Sequence, residues 1–270
     1  MSFFPQRIVS LQPSASVILD ALGVRDRLVA CTKFCEEVLP GISAGRLVVA
    51  DSWSSKAAQI LAAKPELVIA SVPYQLEAVA EILKSGIPFL GLAPRTLADI
   101  YRDIAMLGGI VGRPERGTEL ITTMQNAIDS VREKVRAHCS GSPQVFCEEW
   151  GKPLIASQPW VAELVEAAGG EFVGQSGQQT TAEAILARDP EYVIAAWCGA
   201  GDRVPLEKIV EQRGWHGMKA ARQAHVFCIP DPYLNTPAPT LLQGLHAIAA
   251  ILHPQLFSQP AGVRRIRQTA

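Results

Sequence analysis

The sequence predicts an α/β fold of two similar lobes joined by a single long helix, and three observations support that reading. An internal repeat comes first: AAQILAAKPELVIAS at 57–71 and AEAILARDPEYVIAA at 182–196 align without a gap. Second, each half runs in the same order: strand, loop, helix, Gly, then helix, Pro, strand. Third, the stretch between the halves carries Leu120, Ile121, Met124, Ala127, Ile128, Val131 and Val135 at helical spacing.

Along the chain, the first strand is read at 8–11, leading into a helix over 15–22 that stops at Gly23. Its counterpart is a strand at 145–147 leading into a helix over 160–168 that stops at Gly169. In both copies of the repeat, Ile-Leu-Ala (60–62 and 185–187) belongs to a short helix. Pro65 or Pro190 ends it, because proline disfavours the helical conformation in the residue before it. The apolar runs LVIA (67–70) and YVIA (192–195) read as strands covered on both faces. Strands alternating with helices predict a mostly parallel sheet in each half, so each lobe is Rossmann-like. Between the lobes, Pro114 suits a first helical turn and Gly141-Ser142-Pro143 a stop. A helix of about 25 residues there would reach roughly 38 Å. The expected domains are 1–112 and 141–270, with a connector helix at 113–140.

A chain of 270 residues, 48% hydrophobic and 19% charged, is long enough for two cores. Its 25 Lys+Arg against 26 Asp+Glu leave a formal charge of -1, without the basic footprint of a nucleic-acid binder. A small, largely apolar partner fits better, and a monomer is expected. No apolar run is long enough to predict a membrane span. The opening MSFFPQRIVSLQP has no basic segment ahead of an apolar core. A cytoplasmic location is therefore expected for the chain as it stands, and a periplasmic one if a leader has been removed. The six cysteines (Cys31, Cys35, Cys139, Cys147, Cys198, Cys228) are scattered and expected to be reduced, with Cys31 and Cys35 near one loop.

Catalytic constellations do not assemble. The five histidines include no His-x-x-x-His or His-Glu-x-x-His pair, and neither a Gly-x-Ser-x-Gly elbow nor a Gly-rich phosphate loop is present. No catalytic residue, catalytic cofactor or resident metal is expected. Glu148 and Glu149 are adjacent at a strand end, where successive side chains take opposite faces. One is expected toward a cleft and the other toward solvent or a backbone partner. Open α/β sheets place ligands in the loops after their strands. Those loops hold Pro13, Ser14, Phe34, Trp53, Pro73, Tyr74, Trp150, Trp160, Trp197 and Tyr233, including four of the five tryptophans. Tryptophan and tyrosine offer wide, rigid faces with a polar edge, suited to a planar ligand. Trp160 reads equally as a core residue, and Trp215, in a GWHG turn, reads as packing.

The opening RIVSLQPSASVILDALGVRDRLVACTKFCEEV resembles the start of the helical-backbone (class III) substrate-binding proteins of ABC importers, through Pro-Ser after the first strand, Leu-Gly at the helix end and the Phe34-Cys35-Glu36 loop. KPELVIAS, EEWGKPLIASQPWVAELVEAAGGEFVG, GWHGMKAARQAHVFCIP and TLLQGLHAIAAILHPQLF extend the resemblance in order over nearly the whole chain. It implies a ligand cleft between the lobes and a non-catalytic receptor for cobalamin, a ferric siderophore or haem. The Glu-Trp-Gly and Trp-Val-Ala-Glu-Leu stretches look closest to the cobalamin-binding members, so cobalamin or a related corrinoid is the expected ligand, held by an importer receptor or a cytoplasmic carrier. The resemblance also implies docking of an ABC-importer membrane subunit on Glu77 and, by neighbourhood, Glu207, although solvated helix charges would look the same.

Two rival readings stay open. A receptor for an anionic siderophore or for haem would use basic groups, with Arg95 the main candidate. A metal- or cluster-binding enzyme or assembly subunit on the same duplicated plan would need Cys35, Cys147 or Cys198 to converge.

Overall fold

Lys64 and Asp189, each the residue before the repeat's proline, both take left-handed backbone at φ 48° and 46°, and there each copy of the repeat turns from helix to strand. The computed structural model describes residues 4–267. The chain divides into two units: one comprises the residues up to Pro94 with Ala98–Thr123, the other Arg95–Leu97 with everything from Met124.

The first unit contains β1 (Ile8–Ser10), α1 (Pro13–Ala21), β2 (Leu28–Thr32), α2 (Lys33–Val38), β3 (Leu47–Val49), α3 (Ala57–Ala62), β4 (Leu67–Ser71), α4 (Leu76–Lys84), β5 (Phe89–Leu92) and most of α5 (Leu97–Ile110). Its sheet has the order β3-β2-β1-β4-β5, and every pairing is parallel. α1 starts two residues before its expected position because Pro13 fills the first helical turn, where a missing N–H costs nothing. Gly23 follows it at φ 74°, a conformation that favours glycine. Val9, Leu11, Ala30, Ile60, Val68, Ala70 and Ile82 form a core on one face of the sheet. Burying each large aliphatic side chain contributes about 1.5–3 kcal/mol before the entropy cost.

The helix α6 runs unbroken from Pro114 to His138, the span its apolar spacing predicts, and carries the chain from one unit to the other between Thr123 and Met124. Its first turns pack tightly on α5. A Cβ at Gly117 would lie 3.4 Å from the Ile104 carbonyl oxygen, and one at Gly108 would lie 3.5 Å from the Gly117 Cα.

The second unit contains β6 (Gln144–Gly151), β7 (Leu154–Ala156), α7 (Pro159–Ala167), β8 (Glu171–Phe172), α8 (Ala182–Arg188), β9 (Tyr192–Ala195), α9 (Leu206–Gln212), α10 (Lys219–Arg222), β10 (Val226–Cys228), α11 (Pro232–Asn235), α12 (Leu241–Leu252) and β11 (Arg264–Arg265). Its sheet has the order β11-β10-β9-β6-β7, with β8 also beside β6. The duplicated strands occupy matching places: β4 lies parallel beside β1, and β9 parallel beside β6. The central strands are parallel as expected, but β7 and β11 pair antiparallel. For β7 the cause is the two-residue connection Lys152-Pro153, far too short for a parallel crossover. Trp215 is fully buried against Phe146, with its Nε1–H donating to the Ala182 carbonyl, so it packs the core as its turn suggests.

Asp103 on α5 is a buried acid in the first unit, and burial pushes its carboxyl up to about 6, with Arg102 opposing and Asp99 adding to the shift. A folded-state value above the unfolded one means that the proton-bound acid supports the fold below about pH 4. That support is lost as the pH rises through 6. Asp103→Asn should therefore raise stability by on the order of 2 kcal/mol at pH 8 and change it little at pH 4. Thermal melts of both proteins at the two pH values check this, and an equal shift at both would count against it.

Candidate functional site

In the first unit the loops after β1, β3 and β4 are joined by hydrogen bonds through residues that sequence reasoning passed over. Gln12 Nε2 donates to Ser52 Oγ at 2.6 Å and to the Ser71 carbonyl at 3.4 Å, while Ser52 Oγ donates to the Pro73 carbonyl at 2.8 Å. No spacing rule links Gln12 to Ser52; only the sheet order brings their strands' ends together. Pro13 and Ser14 sit in the first turn of α1, with Ser14 buried. Next to this network, Trp53 is 49% exposed and its ring lies 5.6 Å from that of Phe34, which Lys33 Nζ approaches at 4.8 Å. Val72 and Leu76 are exposed on the same run of loops. Tyr74 instead turns onto β5, edge-on to Phe89 at 5.5 Å and over Gly91, where a Cβ would come within 2.8 Å of its hydroxyl. Glycine is required there because the ring occupies the space of a side chain.

The second unit places Trp150, 42% exposed, near the end of β6, with its Nε1–H donating to the Lys152 carbonyl at 2.9 Å. Trp197, just after β9, packs so closely over Gly151 that a Cβ there would sit 2.2 Å from the indole. Its Nε1–H donates to Glu148 Oε1 at 2.9 Å. Glu148 is fully buried, and Arg213 Nη1 donates to its Oε2 at 2.6 Å while Nη2 donates to the Gly151 carbonyl at 3.2 Å. Burial pushes the Glu148 carboxyl above the ordinary carboxylate range, and the Arg213 charge and the Trp197 hydrogen bond hold it back. Glu149 is also raised by burial, with Gln158 donating to it at 2.7 Å.

The two adjacent acids thus take different partners, as alternation requires: Glu148 is fully buried in the ion pair with Arg213, while the partly buried Glu149 accepts from the side chain and the backbone N–H of Gln158, the kind of backbone partner expected for one of the two. Arg213 was not among the expected residues, because 65 residues separate it from Glu148. Trp160 is 7% exposed, and its Nε1–H donates to the Leu234 carbonyl at 2.8 Å, so most of its ring is committed to packing α7 against the α11 region. Tyr233 is half-buried on α11. The backbone carbonyl of Arg95 accepts from Trp160 N–H at 3.1 Å.

Glu77 and Glu207 are both exposed, and both stand second in the helix that follows a repeat strand, α4 after β4 and α9 after β9. The Glu207 carboxyl is lowered by hydrogen bonding to its own backbone N–H. Acids in a first helical turn are favoured by the helix dipole in any case. Among the described residues no group of three or more His, Cys, Asp or Glu is placed to hold a metal ion, and no helix is long and apolar enough to cross a membrane. All six cysteines are free thiols; Cys35 belongs to the first unit, whereas Cys147 and Cys198 belong to the second.

Residues 8–233 match the family described as periplasmic binding protein. An ABC transporter substrate-binding lipoprotein of Bacillus subtilis, itself called uncharacterized, is 24% identical over 269 residues, covering 94% of this chain and 82% of that protein. A vitamin B12-binding protein of Vibrio parahaemolyticus is 25% identical over 248 residues, covering 89% and 86%. Among solved structures, a periplasmic heme binding protein from Pseudomonas aeruginosa aligns with a TM-score of 0.86 at 21% identity over 99% of this chain and 100% of that one. The periplasmic vitamin B12 binding protein of Vibrio cholerae aligns with a TM-score of 0.73 at 22% identity, over 94% and 98%.

Proposed function

Because the chain belongs to the periplasmic binding protein family, whose members bind solutes for ABC transporters and are not enzymes, we propose that it binds cobalamin or a related corrinoid. The observation that carries this reading is the set of aromatic rings at strand ends: Trp53, half exposed beside the tilted ring of Phe34, in one unit, and Trp150, also exposed, in the other, with Trp197 partly buried over Gly151. A corrin ring edged with neutral amides matches flat apolar walls with a few neutral donors. Gln12 and Ser52 supply polar atoms near Trp53, and Arg213 is committed to Glu148, the acid that also accepts from Trp197. Glu77 and Glu207, at matching positions of the duplicated plan, are the proposed docking points for an importer's membrane subunit.

Titration with cobalamin, cobinamide, haem and a ferric siderophore tests the ligand class. Corrinoid affinity should change less than about threefold between low and high salt, since few ion pairs would be screened. Absence of heat and of spectral change at high micromolar cobalamin would sink the corrinoid reading. Tight haem binding in its place would assign the same aromatic walls to a porphyrin.

A further inference from the structure

Cys139, one residue past the end of α6, lies with its Sγ 3.3 Å from Nδ1 of His253, the residue that closes α12. The other ring nitrogen settles the tautomer. Nε2 of the buried His253 lies 2.9 Å from the Ala168 carbonyl oxygen, which can only accept, so Nε2 carries the proton and Nδ1 presents its lone pair to the thiol. The arrangement depends on Gly169, at φ 79°, because a Cβ there would come 3.4 Å from His253 Nε2 and 2.6 Å from Val135 Cγ1. The half-buried thiol opens onto a cavity of about 550 Å³ whose wall also includes Arg132 and Arg136 from α6 and Glu163 and Glu166 from α7. α12 adds no charged residue to this setting; its one titratable side chain, His246, rests on Phe257.

We propose that Cys139 is a thiol–disulfide exchange site activated by His253, and that its cavity takes a small zwitterionic disulfide such as cystine. Arg136 matches a carboxylate of such a molecule and Glu166 an ammonium group, while Arg132 is held by Asp129 and Glu163 by the Leu97 N–H. His253 Nδ1 takes the thiol proton, and the Cys139 thiolate attacks one sulfur of the incoming disulfide. A new S–S bond forms to Cys139 as the old one breaks, and the leaving cysteine thiolate takes the proton from His253. One disulfide is exchanged for another, with no external oxidant. The remaining thiols are set against this role. Cys31, Cys147 and Cys228 are buried; Cys35, lowered to about 6 by its hydrogen bond with Cys31, is 0% exposed and out of reach of a disulfide; and the thiol of Cys198, an exposed residue, is pushed up to about 12 by desolvation and by the charges of Glu149 and Asp231.

The test treats the intact chain with limiting cystine and locates the half-cystine adduct by mass spectrometry and peptide mapping. Cys139 should be modified at least tenfold faster than Cys198, and Cys139→Ser should remove the fast adduct. His253→Gln keeps a donor for the Ala168 carbonyl but loses the base, and should slow the reaction at least tenfold. Hydroxyethyl disulfide, which is uncharged, should show the same dependence on His253 but none on Arg136→Ala, which should slow cystine alone. Modification of Cys198 first overturns the proposal, as does a well-folded His253→Gln chain that reacts as fast as wild type. The comparison of Cys139 with Cys198 needs no variant, so it decides the matter even if His253→Gln fails to fold.

Discussion

Replacing Arg213 with Met should lower stability by roughly 3–5 kcal/mol at neutral pH, the cost of stranding one member of a buried ion pair. Glu148 is 0% exposed and its Oε2 has Arg213 as its hydrogen-bonding cation at 2.6 Å, so without the guanidinium the burial penalty stands almost unopposed. The carboxyl would then answer by binding a proton, and its folded-state value would rise further. A raised carboxyl stabilises the fold below its unfolded value, near 4.3, and loses that support as the pH climbs. The deficit of Arg213→Met relative to wild type should therefore deepen from pH 5 to pH 8. Glu148→Gln removes the buried charge but leaves Trp197 an acceptor, and leaves an arginine whose side chain is 12% exposed to water; a loss of about 1 kcal/mol is expected. Urea midpoints of the two variants across that pH range provide the measurement. A loss below about 1 kcal/mol for Arg213→Met would mean that water reaches Glu148 and that the pair is not the isolated charge its burial indicates.

Trp53→Ala should weaken cobalamin binding about thirtyfold, or about 2 kcal/mol, the size expected for an aromatic hot spot. This position separates binding from folding better than Trp160 or Trp197 does. Half of Trp53 is already open to water and its ring neighbour is the half-buried Phe34, so the same substitution should change stability by less than about 0.5 kcal/mol. Trp197→Ala would not separate them, because it also strips a hydrogen bond from buried Glu148. Calorimetric titration of wild type and Trp53→Ala, with a urea melt of each, checks both halves of the expectation. Unchanged affinity would return Trp53 to the role of a surface-exposed packing residue.

The parts of this molecule that could be read in the sequence are those written locally. A proline stopping a helix, a continuous apolar run and a 3.6-residue spacing each act over a few residues, so α3–β4, α8–β9 and the full length of α6 were legible. The aromatic loop residues could be placed at strand ends, but their depth could not. Trp160 opens α7 as its position suggests, yet only the α11 region, more than seventy residues later, decides that its indole is buried and bonded to Leu234. The Glu148–Arg213 pair and the Cys139–His253 pair were invisible for the same reason, being separated by 65 and 114 residues with no periodicity to connect them. The antiparallel β7 was missed because the two-residue connection at Lys152-Pro153 carries no hydrophobic pattern of its own.

The way the units divide the chain also bears on its synthesis. The first unit is built from residues up to Thr123, without Arg95–Leu97, so its sheet can form while residues of the second unit are still being added. Domains fold in that order as they emerge, at about 5–20 residues per second. For on the order of ten seconds the nascent chain therefore carries one finished sheet with Trp53, Val72 and Leu76 already open to water, before the second unit can fold.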